Sequence, residues 1–205
     1  MNHELYVFGS VARGEVSPTS DIDILVIPFT SDRSLFPAEW SIYSPELVED
    51  YFRKGRLFAW HLHLEAQCIF TPNKTSFLDA LGAPAPYSTM AQDIRELEIL
   101  LREAIEEIKS GTNSLVYELG IVYTAVRDIA MSVSWALLGA PSFSRRAPYE
   151  LPAPCPLSFM AYENAMLARH WSTRGVEISI DLERTAQEVV RAPWTQWVES
   201  LREAQ

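Results

Sequence analysis

With 205 residues and a net charge of −10, the chain is long enough for one sizeable core or two small domains, and 48% hydrophobic residues exclude a disordered protein. Up to Ser88 there are 6 basic and 11 acidic residues, and beyond it 11 basic and 16 acidic, so each part carries −5 and neither has a polybasic segment. Extended contact with DNA or RNA needs clustered Lys and Arg and is not expected, whereas an acidic surface favours a cationic substrate or a basic partner protein.

No window approaches the run of about eighteen apolar residues that spans a membrane. MNHELYVFGS also lacks a basic leader followed by a sustained apolar stretch. These features predict a soluble, cytoplasmic chain with no membrane partner. Two cysteines make no disulfide framework; Cys68 in an apolar strand and Cys155 in LPAPCP read as buried or inert thiols.

In chain order, LYVF reads as a short strand ending at Gly9, and DIDILVI as a second strand beginning at Asp21. SPELVEDYFRKGR reads as a helix capped by Ser44, with Pro45 at its first position and an apolar stripe of Leu47, Val48, Tyr51 and Phe52. LFAWHLHLEAQCIF alternates: Phe58, Trp60, Leu62, Leu64, Cys68 and Phe70 against His61, His63, Glu65 and Gln67. That pattern predicts a strand with one core face and one polar face. APAPY reads as a linker, which sets the domains at 1–88 and 89–205.

Beyond the linker the signal is helical. One helix ends at Gly111 and a second runs from an Asn113 cap to Gly139. A Pro-rich loop from Ala140 to Pro156 then leads to helices over about Leu157 to Thr173 and Leu182 to Ala204, with Pro193 interrupting the last. Four such helices predict an antiparallel bundle. Trp135, Trp171, Trp194 and Trp197 read as packing residues of that bundle, and His170 as a helix-surface residue.

The chemistry is concentrated in FGSVARGEVSPTSDIDILVI. Alternation places Asp21 and Asp23 on one face of their strand, with Ile22, Ile24 and Val26 on the other. Two neighbouring carboxylates repel unless a cation intervenes, and such hard oxygen ligands suit magnesium held together with a substrate phosphate. Gly9 permits close backbone approach, and the following VARG turn, read as a helix N-terminus, presents free N–H groups to an anion. His61 and His63 have no zinc-type spacing with other ligands and read as residues lining a cleft or solvated.

Gly9-Ser10, Ala12-Arg13-Gly14, Ser20 and Asp21-Ile22-Asp23 running into an apolar strand resemble the nucleotidyltransferase superfamily of the DNA polymerase beta type, in particular its small bacterial members. The resemblance covers the first 88 residues or so. The helical part looks like the bundle fused to, or partnered with, such transferases, including aminoglycoside nucleotidyltransferases and the helical partners of toxin–antitoxin pairs. The implied fold class is α+β, an N-terminal mixed sheet with helices followed by an all-α four-helix bundle.

The implied reaction moves a nucleoside monophosphate from a nucleoside triphosphate to a hydroxyl of a small-molecule or protein acceptor. Its cofactor is magnesium, in a two-metal site held by Asp21, Asp23 and Glu65, with Glu65 also helping to deprotonate the acceptor. Gly9, Ser10, Arg13 and Ser20 bind the nucleotide. Tyr149 and Glu150 are candidate rim contacts for the acceptor, and a homodimer is an open option. The alternative is an antitoxin-like binding protein whose transferase activity is weak or lost. The partner bundles carry an Arg followed a few residues later by a His; after Arg127 the chain reads DIAMSVSW, so ribonuclease activity is not expected.

Overall fold

The computed structural model describes residues 2–16, 22–30, 36–37, 39–175 and 179–204. The chain divides into two compact units, Met1–Thr89 and Met90–Gln205.

In the first unit, strands β1 (His3–Phe8) and β2 (Asp23–Pro28) pair antiparallel, with Phe8 opposite Asp23, Tyr6 opposite Leu25 and Glu4 opposite Ile27. The single-turn helix α1 (Gly9–Ala12) follows β1 directly. A two-residue strand β3 (Ser41–Ile42) pairs parallel to β2, and β4 (Gln67–Phe70) pairs antiparallel to β1. The result is a mixed four-stranded sheet in the order β3-β2-β1-β4.

One face of this sheet is covered by helices. Helix α2 (Pro45–Arg53) starts as its residues dictate: the Ser44 hydroxyl accepts from the Leu47 N–H, and Pro45 occupies the first turn, where a missing N–H costs nothing. Helices α3 (Leu57–Glu65) and α4 (Phe77–Leu81) complete the layer. Tyr6, Phe8, Leu25 and Ile27 from the sheet pack with Val48, Phe52, Ala59, Leu62 and Leu78 from the helices. Each fully buried large aliphatic side chain is worth about 1.5–3 kcal/mol of removal from water.

A charged residue shares that face. Glu4 is fully buried, and its carboxylate accepts from the Tyr6 hydroxyl, from Thr71 Oγ1 at 2.7 Å and from the Phe77 N–H at 2.7 Å. The Tyr6 oxygen in turn accepts from the Leu78 N–H at 3.2 Å. Glu4 and Tyr6 thus each satisfy one orphan N–H at the start of α4, and Glu4's own hydrogen bonds are the condition on which a carboxylate is tolerated in a core. Burial, reinforced by the Glu4 hydrogen bond, pushes the Tyr6 phenol above its ordinary range.

Residues 57–65 correct an expectation. They form a helix and not the first part of a strand; only 67–70 are extended. Of the alternating apolar positions only Leu62 is in the core, whereas Leu64 is exposed. No β-branched residue occurs before Ile69, and Leu, Ala and Glu all favour helix. Cys68 is also corrected: it is exposed, while Cys155 is buried. Order in the sheet explains this, since β4 is an edge strand. The APAPY segment is held down, with the Ala85 N–H donating to the Phe52 carbonyl at 2.9 Å and Trp60 Nε1 donating to the Ala85 carbonyl at 3.0 Å.

The second unit is helical: α5 (Met90–Ser110), α6 (Leu115–Leu137), the short α7 (Ala147–Glu150), α8 (Phe159–Arg174), α9 (Leu182–Arg191) and α10 (Trp194–Glu203). Five of them have ten residues or more among the described residues, one more than the bundle expected, because Pro193 separates α9 from α10. Ser114, not Asn113, occupies the position before α6. Helix α6 packs against both α5 and α8 and buries Leu119, Val122, Val126, Ile129 and Val133. Trp194 and Trp197 are buried, their indole N–H groups donating to the carbonyls of Val189 at 2.7 Å and Ala153 at 3.0 Å.

The Pro-rich loop is bonded into this unit. The Tyr149 hydroxyl donates to the Leu157 carbonyl at 3.1 Å, and Glu150 accepts from the Ser142 hydroxyl at 2.6 Å. Both residues named as rim candidates therefore have structural partners. Among the described residues, no helix is long and apolar enough to cross a membrane.

Candidate active site

The site begins where β1 ends. Phe8 is extended, and Gly9 turns the chain with φ +71° into α1. Asp23, the first residue of β2, lies opposite Phe8 and lays its carboxylate over the Gly9 Cα. A Cβ at Gly9 would fall inside the van der Waals distance of Asp23 Oδ2 and 3.1 Å from its Cγ. Glycine is therefore required twice, by the dihedral and by the carboxylate. Ser10 is buried, and Asp23 is half-buried.

Strand alternation puts Asp23 on the side of Leu25 and Ile27, the core face. Asp23 thus occupies the rim where that face reaches solvent. Ile22, on the opposite side, is exposed, and Val26 is buried. Asp21 and Ser20 lie outside the described residues.

Arg13 follows α1 and is fixed by two carboxylates. Its Nη1 donates to Glu65 Oε2 at 2.6 Å, and its Nε stands 3.1 Å from Glu15 Oε2. The same Glu65 oxygen lies 2.9 Å from His61 Nε2, one helical turn back on α3. His61 is buried with its ring edge-on to Phe8 and Phe58, at centroid distances of 5.4 and 6.4 Å.

Residues 2–55 match the family described as Nucleotidyltransferase domain. The N-terminal unit carries a nucleotidyltransferase domain of the DNA polymerase beta-like superfamily. A search of the curated proteins finds no match to the chain. The matched stretch of the nucleotidyltransferase domain contains Gly9, Ser10, Arg13, Ser20, Asp21 and Asp23, and ends before α3.

The placement of Glu65 is corrected: the alternation put it on the polar face of a strand, but it ends helix α3, and β4 beyond it pairs with β1 and not β2. Its Oε2 is shared by Arg13 and His61. Among the described residues, no group of three or more His, Cys, Asp and Glu is placed to hold a metal ion. Asp23 is the described residue that fits one, a partly exposed hard oxygen donor at the end of the sheet. A cavity of about 610 Å³ lined by Pro28, Phe29, Ser44, Pro45 and Phe77 adjoins the opposite end of β2 from Asp23.

The Glu65 cluster was only partly legible in sequence. The i, i+4 spacing of His61 and Glu65 is the signal that could have revealed it, but it carries meaning only once the segment is known to be helical.

Burial raises the Glu65 pKa, but the hydrogen bond and charge of His61, with those of Arg13, outweigh it and hold the carboxyl below its ordinary 4.5. A folded-state pKa below the unfolded value favours the ionised form in the native state. Its contribution to stability is therefore fully present above about pH 4.5 and is lost as pH falls through the lower folded value. The expected result is that wild type loses more stability than Glu65→Gln below that pH, measured by urea unfolding across the acid range. Parallel acid limbs would contradict it.

Proposed function

We propose that this chain transfers a nucleoside monophosphate from a nucleoside triphosphate to a hydroxyl of a small-molecule or protein acceptor, with release of pyrophosphate. The observation that carries the reading is the Asp23 carboxylate seated on Gly9, in a turn that continues into Ser10 and Arg13 within a nucleotidyltransferase domain. Asp23 and Asp21 would hold magnesium, which supplies charge neutralisation to the phosphates when bound.

Ser10, Ser20 and Arg13 act on phosphate oxygens, the hydroxyls by donating hydrogen bonds and the guanidinium by a charge-assisted contact. The backbone at Gly9 keeps the turn close enough for a phosphate to approach. A net charge of −10 without a polybasic stretch argues for a cationic small molecule or a basic protein as acceptor, not an extended nucleic acid.

The test is incubation of the purified chain with labelled nucleoside triphosphates and magnesium, alongside cell lysate and an aminoglycoside panel. A labelled acceptor that disappears with Asp23→Asn is the expected outcome. Triphosphate binding without transfer to any acceptor would turn the reading to an antitoxin-like binding protein. No binding at all would overturn the site.

A further inference from the structure

We propose that Glu65 is a positioning residue that acts through Arg13 on nucleotide binding, and not a ligand of the metal. The inference rests on the nucleotidyltransferase reading above and adds to it a residue outside the matched stretch. An arginine side chain is long and loses considerable rotamer entropy when held in one place. Here that loss is met in large part before any ligand arrives, because Nη1 donates to Glu65 and the Glu15 carboxylate stands at ion-pair distance from Nε. A guanidinium has five donors, more than two carboxylate contacts consume, so an anchored Arg13 retains the capacity to meet an anion three residues beyond Ser10.

Glu65 is itself held. His61 binds the same oxygen from the preceding turn of α3 and packs edge-on against Phe8, the residue immediately before Gly9 and opposite Asp23. The chain of contacts Phe8, His61, Glu65, Arg13 therefore joins the residue just before α1 to the residue just after it. Within it, Glu65 Oε2 already accepts from two cationic or N–H partners, and its side chain is only 14% exposed. That engagement suits a fixed anchor and competes with metal ligation.

The experiment uses the full chain. Magnesium–triphosphate affinity is measured by calorimetry with each common nucleoside triphosphate. Manganese affinity of the nucleotide-free chain is measured by electron paramagnetic resonance, and melting temperature is followed in parallel. The variants are Glu65→Gln, Arg13→Gln, their combination and Asp23→Asn.

Glu65→Gln is expected to weaken triphosphate binding by about tenfold, the scale of one hydrogen bond to a charged group. Manganese affinity should stay at the wild-type value, and the combination should bind no more weakly than Arg13→Gln alone, as residues acting in series require. A merely structural role would lower the melting temperature and leave the triphosphate affinity of the folded chain intact.

Loss of manganese equal to that of Asp23→Asn would make Glu65 a metal ligand and overturn the inference; so would additive losses, or an unchanged triphosphate affinity. If Glu65→Gln does not fold, Glu65→Asp, which keeps the charge but shortens the reach to Arg13, is expected to show the same triphosphate-specific loss. Failure of the wild type to bind any magnesium–triphosphate would overturn the proposed function itself, a result separate from the three above.

Discussion

Replacing Asp23 by Asn is expected to abolish the rise in melting temperature that magnesium and a nucleoside triphosphate together should give the wild-type chain. A ligand at about a hundredfold over its Kd stabilises the native state by about 2.7 kcal/mol, so the wild-type effect is readily measured. Asn matches Asp in shape and continues to lie over Gly9, but it brings no charge to a metal. The melting temperature of the unliganded variant, measured alongside, separates a loss of binding from a loss of fold. Asp21→Asn is expected to behave in the same way, since the proposed function has both aspartates hold the metal. An unchanged magnesium-dependent shift in both variants would sink the proposed site.

Gly9→Ala should damage both the stability of the N-terminal unit and the proposed site. Holding a residue with a side chain at φ +71° costs about 1–3 kcal/mol. The new Cβ also runs into the Asp23 carboxylate, so either the turn or Asp23 must move. Gly14 provides the control: its φ is +75°, but nothing lies within 4 Å of an added Cβ. Gly14→Ala therefore carries the dihedral cost alone and should keep triphosphate binding. Gly9→Ala should lose more stability and lose binding as well. Equal melting temperatures and equal binding in the two variants would show that the Gly9–Asp23 contact has no functional weight.

The two effects follow from features legible at different levels. Local sequence signals were sufficient for the strand, turn and strand around Gly9, since alternation and a Gly-Ser pair are short-range. They were sufficient also for α2, where Ser44 and Pro45 mark the start, and for the long helices α5 and α6, whose length and closing glycines need no partner to be seen. The break at Pro193 is covalent in origin and was equally plain.

What required tertiary structure is the remainder of the site. Residues 57–65 alternate well enough to imitate a strand, and the choice was made by helix-favouring residues packing Ala59 and Leu62 onto the sheet. That choice moved Glu65 from the polar face of an expected strand to the end of α3, where it meets Arg13, 52 residues earlier. Glu4 is the same lesson in the core: a glutamate on β1 reads as solvent-facing, yet it is fully buried because its donors come from Thr71 and Phe77, 67 and 73 residues away. Short-range pattern determines an element when its stabilising contacts lie within a few residues; a buried charge or a clamped arginine depends on partners that only folding brings within hydrogen-bond distance.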